Sequence, residues 1–201
     1  MDFKDSQTLK NLTRAFAGEC QDGAFYQYMA DEATQNKLSY ISTILKQLAT
    51  NEMAHAKVFY DYIGKHCSGG VDMVEIKATY PMKYGKLDEM LLAKAENEER
   101  QGEKVYPEFS KIAKKEGFDD IAELLLQIGK IEQCHNRVLL ELHDLKTNNK
   151  LYSRNQLTLW KCFNCGHEDK LKKVWKQCPI CSKDQGFVKI NLSGSSSDIE
   201  D

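Results

Sequence analysis

Two Glu-x-x-His pairs, Glu52/His55 in "NEMAHAK" and Glu132/His135 in "KIEQCHNRVLL", fall where the apolar stripe of an amphipathic helix should continue. Around the first, the inward steps run Ile41, Leu45, Leu48, Glu52, His55, Phe59; around the second, Ile121, Leu125, Ile128, Glu132, His135, Leu139. A third pattern carries Glu19 on the face that holds Leu12, Phe16, Gly23 and Tyr26. A fourth has the stripe Leu87, Leu91, Ala95, Val105, Phe109, Ile112. At about 100° per residue it centres on Glu98, with Glu96 outward, Glu99 on the flank, and Gln101 and Gly102 next on the inward face.

A lone ionised carboxylate in a core costs several kcal/mol or neutralises itself, so a cluster of four demands positive partners. No lysine or arginine is expected on these stripes at that depth, which leaves metal ions: two dications balance four carboxylates. Each i, i+3 pair sets a carboxylate and an imidazole toward the same ion. One Glu from each of two helices and a Glu-x-x-His from each of two others is the pattern of a carboxylate-bridged di-iron or di-manganese bundle. Tyr26, and less directly Tyr106, are placed to hydrogen-bond these carboxylates and orient them.

The spacing predicts four long helices over about 6–35, 38–64, 86–115 and 120–147, with a kink near Glu103–Pro107 and a C-terminal glycine at Gly117. Residues 1–147 therefore read as an all-helical bundle, 148–156 as a polar linker, 157–192 as a small β-rich unit and 193–201 as a disordered tail. That third segment is too short for a self-sufficient apolar core. It carries Cys162-x-x-Cys165 and, after twelve intervening residues, Cys178-Pro-x-Cys181, two knuckles that suit one tetrahedral Zn²⁺ or iron ion. Trp160, Phe163, Trp175 and Phe187 are expected to pack around it.

Lys+Arg 28 against Asp+Glu 30, thoroughly interleaved, leaves no basic footprint for nucleic acid or a membrane surface. Neither a bilayer span nor a secretory leader is legible, so a cytoplasmic setting is expected, where crowded cysteines serve metals.

Taken together, "AGECQDGAFYQY", "NEMAHAK", "VYPEFSKIAKKEGF" and the two knuckles make the chain resemble a rubrerythrin over nearly its whole length. The resemblance implies a mainly α fold, a ferritin-like four-helix bundle followed by a small β-rich rubredoxin-like metal domain. It implies two Fe in a carboxylate-bridged site held by Glu19, Glu52, His55, Glu98, Glu132 and His135, with Tyr26 beside it. At Cys162, Cys165, Cys178 and Cys181 it moves the metal from zinc toward iron. It further implies a peroxidase acting on hydrogen peroxide, linked to NAD(P)H through a redox donor protein such as a rubredoxin or a reductase, and a homodimer. One departure stands out: the family carries another glutamate three residues after the third-helix ligand, where this chain has Gln101. A register using Glu96 and Glu99 would restore that pair but abandon the inward stripe. The competing readings are a ferroxidase or oxygen-reducing di-iron protein, and a metal-binding bundle with a structural zinc ribbon.

Overall fold

The computed structural model describes residues 2–68 and 71–193, so the tail expected to be disordered lies, beyond Ser193, outside the described residues. Five α-helices, α1 (Gln7–Gln35), α2 (Ser39–His66), α3 (Leu87–Arg100), α4 (Tyr106–Glu116) and α5 (Asp119–Thr147), precede two strands, β1 (Ser153–Lys161) and β2 (Glu168–Lys173). Ser6 caps α1 by accepting from the Leu9 N–H, and Gly117 ends α4 in the left-handed region at φ 90°, as its position predicts.

Two apolar clusters stack along the bundle. One joins the end of α1 and the starts of α2 and α3 to the end of α5, through Met29, Leu45, Leu91 and Leu142. The other joins the start of α1 and the end of α2 to α4 and the start of α5, through Leu12, Phe59, Phe109 and Leu125. Because α2 finishes at one cluster and α3 begins at the other, the 67–86 connection must run the length of the bundle. Tyr80 pins it by donating its hydroxyl to the Arg14 carbonyl at 2.9 Å. The inward glutamates lie in the layer between the two clusters.

The third helix of the sequence reading is interrupted. Gln101–Val105 forms a π-helical turn, and the Tyr106 N–H reaches back to the Gln101 carbonyl. Pro107, which has no N–H to give, follows at the start of α4. A straight helix would align Val105 with Glu98 and rotate Tyr106 about 80° away. The extra residue in the turn instead brings Tyr106 inward, 1% exposed, and the stripe beyond it becomes Tyr106, Phe109, Ser110 and Ala113. Val105 and Ile112, expected inward, are only half-buried. The turn also presses Gly102 against α5: a Cβ there would stand 2.5 Å from the Gly129 carbonyl oxygen.

The C-terminal unit is built on the antiparallel pair β1–β2, and β1 begins at Ser153, inside the stretch read as linker. Trp160, Val174 and Val188 form its core, with Trp175 at the edge. Phe163 and Phe187 turn the other way: they stack at 5.1 Å, and Phe163 lies 5.3 Å from Tyr40 of α2. Leu151 and Ile190 join the bundle's own apolar cluster, so the unit is docked on the α1–α2 end.

Because α5 offers no room at Gly102, Gly102→Ala should destabilise the protein by about 1–3 kcal/mol. Chemical denaturation at fixed metal loading measures this; an unchanged midpoint would mean that the two backbones can separate freely.

Candidate metal centres

Glu19 from α1, Glu52 and His55 from α2, Glu98 from α3, and Glu132 and His135 from α5 converge between the clusters, none more than 8% exposed. Their donor atoms form two overlapping groups, Glu19, Glu52, His55, Glu132 and Glu52, Glu98, Glu132, His135, each with all donors within 4.8 Å of one another. Glu52 and Glu132 belong to both. His55 Nδ1 lies 3.1 Å from Glu132, 3.2 Å from Glu52 and 3.5 Å from Glu19. His135 Nδ1 lies 2.9 Å from both Glu52 and Glu132. The two rings stack at 5.8 Å. Glu96 and Glu99 face solvent.

Each outer glutamate has one oxygen occupied and one free. Tyr26 donates to Glu98 Oε1 at 2.6 Å, and Tyr106 donates to Glu19 Oε1. Glu98 Oε2 and Glu19 Oε2 have no hydrogen-bond partner, nor do Glu52 Oε1, either oxygen of Glu132, or His135 Nδ1. So many orphaned acceptors in a dry interior are intolerable unless a cation fills the space between them. The residues present therefore fit a pair of metal ions, with Glu and His donors of the type iron accepts.

Charge in the metal-free cluster is redistributed accordingly. Burial alone would lower His55, but Glu132, Glu19 and Glu52 raise it to about 12. His135 is likewise lowered by burial and raised by Glu132 and Glu52, to about 10. Burial pushes Glu98 up to about 8, with Lys94 opposing and the other carboxylates assisting. Glu52 goes the other way: burial opposes, but the His135 imidazole close beside it and the hydrogen-bonded His55 hold it well below the usual range. Burial, then the neighbouring carboxylates, keeps the Tyr26 and Tyr106 hydroxyls protonated and therefore donors.

The sequence reading missed four polar residues around this layer. It expected no lysine at this depth, yet Lys94, 7% exposed, sits one turn before Glu98 with its ammonium 3.0 Å from Glu98 Oε1 and 2.6 Å from Asp22. A lysine four residues before a glutamate ordinarily signals an exposed helix pair, so spacing gave no warning. Asp22 in turn accepts from the Asn97 and Gln101 side-chain amides, both at 3.1 Å. Gln101 is thus inward, as expected, but tied to Asp22 and Asn97. Asn51 places its amide 3.3 Å from His135 Nε2, behind the ring, where it can orient the imidazole.

In the C-terminal unit, Cys162, Cys165, Cys178 and Cys181 form the third group of donors. The sulfurs of Cys162 and Cys181 are 3.8 Å apart and those of Cys165 and Cys178 3.7 Å, with no disulfide among them. A tetrahedron of metal–sulfur bonds of about 2.3 Å has an edge of roughly 3.8 Å, so the knuckles are shaped for one ion. The Lys183 N–H pulls the Cys181 thiol down to about 6. At Cys165 the His167 N–H pulls the same way, but burial and the other sulfurs outweigh it, to about 12. Among the described residues no helix is long and apolar enough to cross a membrane.

Solved structures with this architecture include partially reduced nigerythrin, with a TM-score of 0.61 and 23% identity, covering 93% of this chain and 90% of that one. The bacterioferritin of Desulfovibrio desulfuricans, described by its di-iron site, matches with a TM-score of 0.58 and 23% identity over 72% of this chain and 82% of its own. These likenesses support the ferritin-like bundle with a rubredoxin-like domain. Rubrerythrin of Clostridium perfringens is 32% identical over 190 residues, 94% of this chain and 96% of its own. Rubrerythrin of Porphyromonas gingivalis is 35% identical over 188 residues, 93% and 91%. The rubrerythrin family model matches residues 10–88 and 89–158, which span the helices that bring the six buried donors together. With a carboxylate–histidine site suited to two irons and a four-cysteine cluster suited to a rubredoxin-type iron, the chain belongs to the rubrerythrin family.

Proposed function

We propose that this oxidoreductase is a peroxidase that reduces hydrogen peroxide to water, with electrons arriving through the four-cysteine iron. The observation that carries the reading is the pairing, in one chain of this family, of a buried carboxylate–imidazole cluster with a separate four-thiolate cluster at the surface. In this reading Glu19, Glu52, His55, Glu98, Glu132 and His135 would hold the iron pair, Glu52 and Glu132 being common to both groups of donors, and Cys162, Cys165, Cys178 and Cys181 would hold the single iron. When bound, the pair supplies the two electrons that, with two protons, take hydrogen peroxide to two waters, and the thiolate iron replenishes them singly.

The chain's own residues do the rest. Tyr26 and Tyr106 hold Glu98 and Glu19 by one oxygen each, keeping the other aimed inward. A cavity of about 50 Å³ beside the 67–86 connection is lined by Asp22, Tyr80, Gln101 and Tyr106, and Tyr106 separates it from Glu19. It has room for a peroxide together with water. Cys165 and Ile180, both exposed, offer the thiolate centre's edge to a donor protein, a rubredoxin or an NAD(P)H-linked reductase. A cytoplasmic homodimer completes the reading.

Three measurements test it. Glu98→Ala should lose one bundle metal position while Glu96→Ala keeps both, read by metal analysis; the reverse would move the ligand set to the outward register. Metal-free His55 and His135, raised to about 12 and 10, carry protons at neutral pH, and Glu98, at about 8, largely does too. Protonation of the two histidines stabilises the metal-free fold fully below their unfolded value of about 6.5 and is lost only as pH rises through the folded values, while Glu98 contributes fully only below the ordinary carboxyl range. Divalent ions must displace these protons, so Mn²⁺ affinity should climb from about pH 6 to 8 with measurable proton release; a flat profile would contradict the assignment. Finally, fully reduced protein mixed in stopped flow should be oxidised faster by hydrogen peroxide than by air-saturated buffer, and the isolated oxidised protein should be red. Faster oxidation by air would favour oxygen reduction or ferroxidase activity, and a colourless protein with zinc at the cysteines would remove the electron route.

A further inference from the structure

Beside the six donors the bundle holds one more buried ionic group, and it touches only one half of the centre. Lys94 is 7% exposed and Asp22 3%. The Lys94 ammonium lies 2.6 Å from Asp22 Oδ1, 3.0 Å from Glu98 Oε1 and 4.9 Å from the centre of the Tyr26 ring. Glu98 Oε1 therefore meets both a tyrosine hydroxyl and a full positive charge. Its counterpart Glu19 Oε1 meets a tyrosine hydroxyl, and among the described residues no lysine or arginine forms an ion pair with Glu19. In donor types the halves match: each has one outer glutamate, one histidine and the shared Glu52 and Glu132.

A fixed cation at a ligand's outer oxygen withdraws charge from that ligand and repels an ion bound at the inner one. Asp22 offsets part of this, but Lys94 bridges Asp22 and Glu98, so of the two charges it is the lysine that touches the ligand. Asp22 itself is held by the Asn97 and Gln101 amides, so the lysine cannot swing clear without abandoning a buried carboxylate. We propose that Lys94 makes the two metal positions unequal: the divalent ion held by Glu98 and His135 is the weaker one, filling second and leaving first, while the ion held by Glu19 and His55 is retained. The inference rests on the ligand assignment proposed above.

The test is a Mn²⁺ titration of the full chain with its four cysteines carrying one equivalent of Zn²⁺, read by the electron paramagnetic resonance of free Mn²⁺. Mn²⁺ favours the carboxylate–imidazole site and leaves the thiolates to zinc. Repulsion between the ions separates the two steps on its own, so the diagnostic is the change on substitution. Lys94→Met should tighten the second step about tenfold and leave the first within about threefold. Asp22→Asn/Lys94→Met, which removes both charges and so the stranded carboxylate, should tighten the second step in the same direction by a smaller factor and keeps the test valid if the single variant folds poorly. His135→Gln should bind one ion with the first-step affinity of the unaltered chain. A second step unchanged in both Lys94 variants, equal tightening of both steps, or loss of the tight step in His135→Gln would overturn the proposal while leaving the ligand assignment standing. Fewer than two Mn²⁺ bound by the unaltered chain would overturn the assignment and the inequality with it.

Discussion

Mutual repulsion among four carboxylates in a water-free layer is the constraint on which the rest of this molecule depends. Left to themselves, Glu19, Glu52, Glu98 and Glu132 would favour a looser bundle in which water reaches them. The fold resists this by clamping the layer between two apolar clusters, one built from Met29, Leu45, Leu91 and Leu142 and the other from Leu12, Phe59, Phe109 and Leu125. Without metal, protonated histidines and neutralised carboxylates carry the balance. With metal, the same donors meet cations and the orphaned oxygens are satisfied. Metal binding and fold integrity are thereby two aspects of one electrostatic problem.

The π turn at Gln101–Val105 shows how backbone irregularity serves that layer. A regular helix cannot aim both Glu98 and Tyr106 at the same interior, since their spacing suits Val105 instead. One extra residue in the turn corrects the aim, and Pro107 and Gly102 make it tolerable, the first by needing no hydrogen bond and the second by letting α5 approach. Tyr106 then restrains Glu19 as Tyr26 restrains Glu98, so the two outer carboxylates are held in matching ways by residues from different helices.

Against that near symmetry, the Asp22–Lys94 pair and the Gln101 amide are lopsided. Where the family pattern has a further carboxylate, this chain has a neutral amide bonded to Asp22, and of the four cluster glutamates the Lys94 ammonium pairs with Glu98 alone among the described residues. The second metal cluster is separated from the first by chemistry as well as by position. Its thiolates are soft donors on two knuckles of a small β unit, and that unit is anchored to the bundle by Phe163 on Tyr40 and by Gly186, whose missing side chain lets it sit against the Lys37 carbonyl.

The helical periodicity, the interruption of each apolar stripe by an acid, and the cysteine spacing were readable from the sequence because each follows from local geometry: about 100° per residue on a helix, and a fixed reach across a knuckle. That was enough to single out the ten donors that gather in the three clusters, and to place Gln101 inward. It also set Tyr106 near the inward side as a partner of a ligand carboxylate, but not the π-helical residue that turns it fully inward, which periodicity assumes away. Nor was it enough for Lys94, which reads as an ordinary surface partner of Glu98 until α1 closes over it with Asp22. Which oxygen of each glutamate stays free, and which half of the centre feels a cation, are decided only when helices distant in sequence meet, because those are properties of contacts and not of any one helix.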